Sequence, residues 1–191
     1  MGQPRRHQII NNRKLPPAYL TEYFSGEQID KYLKHHLNKS NSYYIGTYLT
    51  ELLSSGVVFP HQIGLNDGNL SPDHTIYAAI NTNNEHWFLF IANRHISFII
   101  DPLVDSEYKN LGNIKAEQLL KTLKSEFNYL NKTQYDKNIS INKLNQNNGF
   151  DCGPFVCGYA VNISFNIGLS HIDIGFIRET TCKLMAMSDT T

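Results

Sequence analysis

The residues best suited to chemistry lie in the segment QNNGFDCG, residues 146–153, where Cys152 follows an acidic residue. Pro154 fits only the first turn of a helix, so it predicts a helix that starts close to Cys152. A helix N-terminus and a neighbouring imidazolium can lower the pKa of a thiol from ~8.5 to about 3.5–7.5. Gly149 and Gly153 would let a substrate backbone approach the sulfur. We therefore interpret Cys152 as a nucleophile.

The other two cysteines lack this setting. Cys157 falls on an apolar face of the same predicted helix, and Cys182 lies on a late helix, so both are interpreted as packing residues. Three cysteines are an odd and sparse set, which is typical of a reducing compartment and not of a disulfide-stapled secreted domain.

A cysteine nucleophile needs a base, and His86 is the best placed of the eight histidines. It stands at the edge of a strongly predicted strand, next to Trp87. If Asn93-Arg94 forms a two-residue hairpin turn, His86 lies directly opposite Asp101. Cross-strand neighbours have Cβ atoms ~4.5–5.5 Å apart, so the carboxylate could orient the imidazole.

The remaining requirement is a set of donors for the oxyanion that forms when the thiol attacks a carbonyl. Backbone N–H groups at the helix start can supply one donor, and the amide of Gln146, at the end of a predicted strand, can supply another. Each piece alone is commonly structural: a cysteine at a helix start is more often buried packing than a nucleophile. Their joint order, His, Asp, Gln, Cys, is what favours a thiol acyl-transfer site.

Hydrophobic spacing predicts the elements that must position these residues. Amphipathic periodicity predicts helices, the first capped by Ser25, over residues 26–38, 45–54, 114–130, 152–166 and 174–187. Short apolar runs predict strands over residues 75–81, 87–92, 96–100 and 139–144. We expect an α+β fold, in which a central mixed or antiparallel sheet from residues 75–101 and 139–145 packs against the Cys152 helix.

Composition indicates one domain and excludes several function classes. A chain of 191 residues with 41% hydrophobic residues can form a single core, here residues 18–191, after a basic tail at 1–17 expected to be disordered. Because 17 basic residues balance 17 acidic ones, no net field favours nucleic acid or an anionic membrane. The longest apolar run, Trp87–Ala92, is too short to span a bilayer. We expect a soluble monomer that needs no metal and no cofactor. The adjacent His35 and His36 diverge on a helix, so they do not form a metal site together.

The candidate residues resemble the ubiquitin-like-protease family of cysteine peptidases (clan CE), which includes SUMO proteases, the adenoviral protease and deubiquitinating effectors of intracellular bacteria. The resemblance rests on His86-Trp87 opening a strand, Asp101-Pro102 ending the next, and Gln146 six residues before Cys152. It implies the Ulp-like protease fold, with His86 as general base, Asp101 as its orienting partner, Cys152 as nucleophile and Gln146 as oxyanion donor.

The same resemblance implies where the substrate binds. Trp87, the only tryptophan, matches the residue that covers a narrow channel for the Gly-Gly tail of the substrate. The segment YFSGEQIDKYL, residues 23–33, resembles a SUMO-protease helix motif, with Tyr23 at its Trp position and Gly26 at its Asp position. Tyr23, Trp87 and Gly153 are thus the expected substrate-binding residues.

The expected activity is hydrolysis of the bond after the C-terminal Gly-Gly of ubiquitin or a ubiquitin-like modifier. We favour a deubiquitinase over a deSUMOylase or deneddylase. The Asn-, Ile- and Lys-rich composition suits a secreted bacterial effector that acts in the host cytoplasm; a eukaryotic cytoplasmic or nuclear protease is the alternative.

Two other functions stay open. Some effectors of the same clan carry an acetyl group from acetyl-CoA on the equivalent cysteine, although this chain shows no obvious basic cluster for such ligands. A protease fold could also hold a ubiquitin-like partner without cutting it. Retention of His86, Asp101, Gln146 and Cys152 together argues against such a binding module, because binding alone does not need them.

Overall fold

The structure, a computed structural model, describes residues 21–37, 41–66, 70–104 and 106–188. The basic tail expected at residues 1–17 lies outside the described residues. Within those ranges the chain forms five α-helices: α1 (Gly26–His36), α2 (Thr47–Ser54), α3 (Lys109–Lys124), α4 (Cys152–Ser164) and α5 (Ile174–Ser188). It also forms five strands: β1 (Ser42–Ile45), β2 (Thr75–Thr82), β3 (His86–Ala92), β4 (Ile96–Ile100) and β5 (Gln134–Tyr135).

The five strands make one mixed sheet in the order β1-β2-β3-β4-β5. The inner strands β2, β3 and β4 are antiparallel neighbours, while β1 pairs with β2 and β5 pairs with β4 in parallel. This arrangement confirms the α+β fold with a mixed sheet. None of the helices in the described ranges is long and apolar enough to cross a bilayer.

The central strand β3 is buried along its whole length because helices cover both faces of the sheet. Since side chains alternate between the faces, Leu89 and Ile91 join a core with α1, α4 and α5. Phe88 and Phe90 join a second core with α2 and α3. The continuous apolar run of β3 is what burial on two sides requires.

Two predicted helix starts are confirmed. Ser25 caps α1 in a capping box: its hydroxyl accepts from the Gln28 backbone N–H at 3.3 Å, and the Gln28 side chain accepts from the Ser25 N–H at 2.7 Å. Helix α4 begins at Cys152, so Pro154 lies in its first turn.

The predicted register of the β3–β4 hairpin is wrong by two positions. Ala92 pairs with Ser97, which makes Arg94 and His95 the central turn residues in place of Asn93 and Arg94. The reason is local: the Asn93 side-chain oxygen accepts from the His95 N–H at 2.9 Å, so Asn93 opens the turn from its first position.

Three further predictions about the sheet and helices need correction. Residues 139–144 form no strand: Lys143 makes a single bridge to Leu169, because no neighbouring strand continues along this segment. The fifth strand is β5, and β1 precedes the second helix, which starts at Thr47 and not at 45. Helix α3 runs from Lys109 to Lys124 and is followed by a 3-10 turn, so the periodicity read at 114–130 spans two elements.

Candidate active site

The candidate nucleophile, Cys152, is the first residue of α4 and is fully buried. Backbone N–H groups of Cys152, Gly153 and Trp87 favour the thiolate and act to lower the pKa of this thiol. Two of these donors belong to the start of the helix, and the third belongs to the start of β3. The sulfur therefore sits where the helix N-terminus meets the strand that carries His86.

Burial controls the ionisation of this thiol. It raises the pKa of Cys152 to about 11, and the three backbone N–H groups, which stabilise the thiolate, offset only part of that rise. The sequence predicted that a helix N-terminus and a neighbouring imidazolium could lower this pKa, but burial of the sulfur outweighs the backbone N–H groups and raises it instead. A reactive thiolate requires transfer of the proton to a nearby base.

His86 and Asp101, the candidate base and its candidate orienting partner, are in direct contact. The Nε2 atom of His86 donates to Oδ1 of Asp101 at 2.8 Å, and the same oxygen accepts from the Leu103 N–H at 2.9 Å. With its proton on Nε2, neutral His86 keeps a lone pair on Nδ1. The predicted contact thus forms, although strand pairing ends at Leu89–Ile100 and Asp101 reaches His86 from just beyond β4.

Aromatic packing holds the His86 ring in place. The ring meets the edge of Phe88 at 4.7 Å between centroids and stacks on Tyr108 at 5.5 Å. Sequence reasoning missed Tyr108 because it lies in the connection after β4, without periodicity or motif to mark it. Phe88 and Tyr108 thus restrict the imidazole in addition to Asp101.

Gln146 is held by the loop that leads to the nucleophile. Its backbone N–H donates to the Pro102 carbonyl at 2.8 Å, which ties it to the Asp101 segment. Its side-chain Nε2 donates to the Asn148 carbonyl at 2.5 Å, and its Oε1 is buried without a partner. The same Nε2 atom lies 3.5 Å from the Asn148 side-chain oxygen, so this long contact is what its second hydrogen would give up, and donation to a substrate oxygen stays a prediction.

The expected substrate-binding residues occupy three different settings. Trp87 is 8% exposed, and its indole Nε1 donates to the Phe24 carbonyl at 2.9 Å. Tyr23, in contrast, is half exposed; burial, with further contributions from Cys152 and Glu85, raises the pKa of its phenol. Tyr23 therefore lies at the rim of the site and Trp87 in its wall.

Gly153 is required by packing. A Cβ atom at this position would lie 2.5 Å from the Cβ of Phe24, closer than real contacts allow. Close approach of Phe24 to α4 thus depends on glycine. Contact of the Gly153 backbone with substrate stays a prediction.

No three His, Cys, Asp or Glu side chains in the described part of the chain are grouped to hold a metal ion. The chemistry available to this arrangement is acyl transfer: a thiol, a base with its carboxylate, and amide donors for an oxyanion.

Comparison with protein families gives one match. Residues 30–178 match the model described as the Ulp1 protease family, C-terminal catalytic domain. No curated protein matches this chain.

Solved structures with the same fold include proteases from this family. SUMO protease Ulp1, with its catalytic cysteine oxidised to a sulfenic acid, matches with 18% identity and a TM-score of 0.66, covering 87% of this chain and 78% of that one. The C-terminal Ulp1 protease domain in complex with SMT3, the yeast ortholog of SUMO, matches with 20% identity and a TM-score of 0.66. This match covers 88% of this chain and 79% of that one. The Xanthomonas campestris effector XopD, bound to ubiquitin, matches with 16% identity and a TM-score of 0.58. This match covers 92% of this chain and 98% of that one.

Proposed function

The chain belongs to the Ulp1 protease family of cysteine proteases, and we propose that it hydrolyses the peptide or isopeptide bond after the C-terminal Gly-Gly of ubiquitin. The observation that carries the proposal is the 2.8 Å hydrogen bond from His86 to Asp101. The residue after His86 is Trp87, whose backbone N–H acts to lower the pKa of the Cys152 thiol. These observations support a site that combines a thiol, a base and an orienting carboxylate.

The proposed reaction begins with proton transfer from Cys152 to Nδ1 of His86. The thiolate attacks the carbonyl carbon of the last glycine, and the resulting oxyanion accepts from Gln146 and from N–H groups at the start of α4. The imidazolium, stabilised by Asp101, then gives its proton to the leaving amine as the C–N bond breaks. Water, deprotonated by His86, hydrolyses the thioester and restores the thiol.

The position of Trp87 supports a tail of small residues. Its indole is nearly buried and fixed to the Phe24 carbonyl, so it forms a rigid wall. A cavity of about 470 Å³ borders this tryptophan and is also lined by Gly26, Tyr48 and Glu51. We propose that the modifier contacts this surface while its Gly-Gly tail passes Trp87.

Gly26 supports ubiquitin over SUMO as the modifier. The SUMO-protease motif that residues 23–33 resemble has Asp at this position. A Cβ atom at Gly26 would lie 2.6 Å from Oγ1 of Thr47, so an acidic side chain does not fit the present packing. The likeness to XopD, an effector bound to ubiquitin in its structure, also supports a bacterial effector that acts in the host.

Acetyl transfer is the second candidate, and one feature of the structure favours it. Lys109, Lys137 and Lys143 line a cavity of about 310 Å³ that extends to Asp101. Burial lowers the pKa of Lys143; the nearby Asp101 carboxylate acts to raise it, and Lys109 acts to lower it. Lys137 is paired with Glu117 at 2.8 Å, so its charge is already balanced within the protein and does not favour an anionic ligand such as acetyl-CoA. Peptide hydrolysis therefore remains the preferred function.

A panel of electrophilic probes tests the proposal. Ubiquitin, SUMO and NEDD8, each with a C-terminal electrophile, are incubated with wild type and Cys152→Ala, and adducts are detected by intact mass. We expect the ubiquitin adduct to form fastest and to require Cys152. Faster reaction of SUMO or NEDD8 would overturn the ubiquitin preference. If no probe reacts while labelled acetyl-CoA acetylates Cys152, the second candidate is correct.

A further inference from the structure

Arg178, in α5, is the largest fully buried side chain in the described part of the chain, with 1% exposure. Its Nε and Nη2 atoms donate to Oδ1 of Asp151 at 3.1 Å and 2.5 Å. Its Nη1 atom donates to the Glu22 carbonyl at 3.0 Å. The guanidinium therefore joins α5 to two other segments of the chain.

One branch of these contacts leads to the catalytic loop. Asp151 immediately precedes Cys152, and its Oδ2 accepts from the side-chain amide of Asn148 at 2.6 Å. The Asn148 side-chain oxygen accepts from the Asp151 N–H at 3.0 Å, and its carbonyl accepts from Gln146. A continuous set of hydrogen bonds thus runs from Arg178 to the proposed oxyanion donor.

The other branch leads to Trp87. The Arg178 guanidinium lies 5.2 Å from the centroid of the Phe24 ring, and the Phe24 carbonyl holds the Trp87 indole. The same guanidinium lies 5.8 Å from the ring of Phe150, in the catalytic loop. One cation thus contacts both the segment that anchors Trp87 and the loop that carries Cys152.

A buried ion pair is an unusual way to gain stability, because apolar residues of similar volume often stabilise a core equally well. A planar guanidinium constrains geometry, because its N–H donors point in fixed directions and so define the positions of a carboxylate and a carbonyl together. We propose that Arg178 is a positioning residue for the hydrolysis proposed above, on which this inference rests. It fixes Cys152 and Gln146 through Asp151, and Trp87 through Glu22 and Phe24.

The first test separates direction from charge and from folding. Arg178→Lys keeps the charge but loses the fork, while the double variant Arg178→Met/Asp151→Leu replaces the pair with apolar side chains. For each variant that retains the wild-type circular dichroism spectrum, we expect kcat to fall by about 10- to 100-fold with KM changed less than about 3-fold. Lys183→Met, which removes an exposed pair with Glu179 on the same helix, is the matched control and should keep the wild-type kcat.

The second test asks whether Arg178 acts through Gln146. If it does, adding Gln146→Ala to Arg178→Lys should reduce kcat by much less than Gln146→Ala does in the wild type. A purely structural role predicts independent losses that multiply. Folded Arg178 variants with wild-type kcat, or losses that multiply, would overturn the inference.

A third measurement needs no substrate and separates this inference from the proposed function. Trp87 is the only tryptophan, so its emission spectrum reports the setting of the indole, and the pH profile of Cys152 alkylation reports the setting of the thiol. We expect Arg178→Lys to shift both. If wild type cleaves no modifier but both signals shift, the proposed function fails and the positioning role stands. If neither signal shifts, the positioning role fails.

Discussion

Two opposing influences on the Cys152 thiol determine how this residue can react. Burial raises its pKa to about 11, while the N–H groups of Trp87, Gly153 and Cys152 lower it by less. The residue types and spacing predicted Cys152 as the nucleophile, but they contain no information on how deeply the sulfur is buried. A raised pKa favours the neutral thiol, so the proposed reaction needs proton transfer from Cys152 to His86.

The pH dependence of alkylation tests this ionisation state. Only the thiolate reacts, so in the absence of substrate we expect the rate of Cys152 alkylation by a small reagent to rise with pH from about pH 7 towards pH 11. Peptide mass spectrometry separates Cys152 from the partly exposed Cys182 and from Cys157. The Cys157 thiol is as buried as that of Cys152 and its pKa is raised well above the usual value, so its alkylation is the matched control for the effect of burial alone. A rate that is already constant below about pH 7 would show instead that imidazolium holds the thiolate in the free protein.

Gln146→Ala tests the oxyanion donor. We expect kcat to fall by about 10²–10³ because one donor to the oxyanion is lost. The free energy of unfolding should fall by no more than about 1–3 kcal/mol, since the substitution removes the hydrogen bond from Nε2 to the Asn148 carbonyl but none from Oε1, which has no partner. Asn145→Ala, one residue earlier, is the matched control for both measurements. An effect on KM alone would contradict the assigned role.

At the scale of elements, the sequence predicted the residues that meet but not the path by which they meet. The strands around His86 and Asp101 were predicted from apolar runs, whereas the turn depended on which position Asn93 takes. The short strands β1 and β5 were missed, because four and two residues carry too little periodicity to distinguish strand from coil. Arg178 was missed for a different reason: nothing local distinguishes a buried arginine from an exposed one on an amphipathic helix.

Paired glycine substitutions test how α4 packs against the segment before α1. Gly153→Ala should lower the free energy of unfolding by about 1–3 kcal/mol, because the new Cβ would lie 2.5 Å from that of Phe24. Gly149→Ala, in the same loop region, has open space within 4 Å and should change it by less than about 0.5 kcal/mol. Urea titration measures both. Equal effects of the two substitutions would show that Phe24 does not constrain position 153.

At the scale of the whole molecule, one sheet holds two cores together. The side chains of β3 alternate between the core with α1, α4 and α5 and the core with α2 and α3, so neither core can form without that strand. The proposed catalytic residues come from β3, from the segment after β4 and from the start of α4. Their geometry is thus a property of the complete fold, which is why the sequence alone could propose the set but not its dimensions.

A substitution in one core should therefore destabilise the other. Leu119→Ala removes a fully buried side chain from the core with α2 and α3, which does not contain Trp87. It should lower the free energy of unfolding by about 2–5 kcal/mol. We expect Trp87 fluorescence and circular dichroism to report the same shifted urea midpoint. Leu33→Ala, in the Trp87 core, is the matched substitution and should behave alike. Separate transitions for the two probes would show that the cores unfold independently.

The central claim is that Cys152 attacks with His86 as its base. The most direct measurement is the release of a C-terminal fluorophore from whichever modifier wild type cleaves fastest, compared between wild type, His86→Ala and His95→Ala. His95 lies in the exposed β3–β4 turn and is the matched control. We predict that His86→Ala lowers kcat by about 10²–10⁴ and that His95→Ala keeps the wild-type value. A wild-type rate for His86→Ala would contradict the assignment of the site.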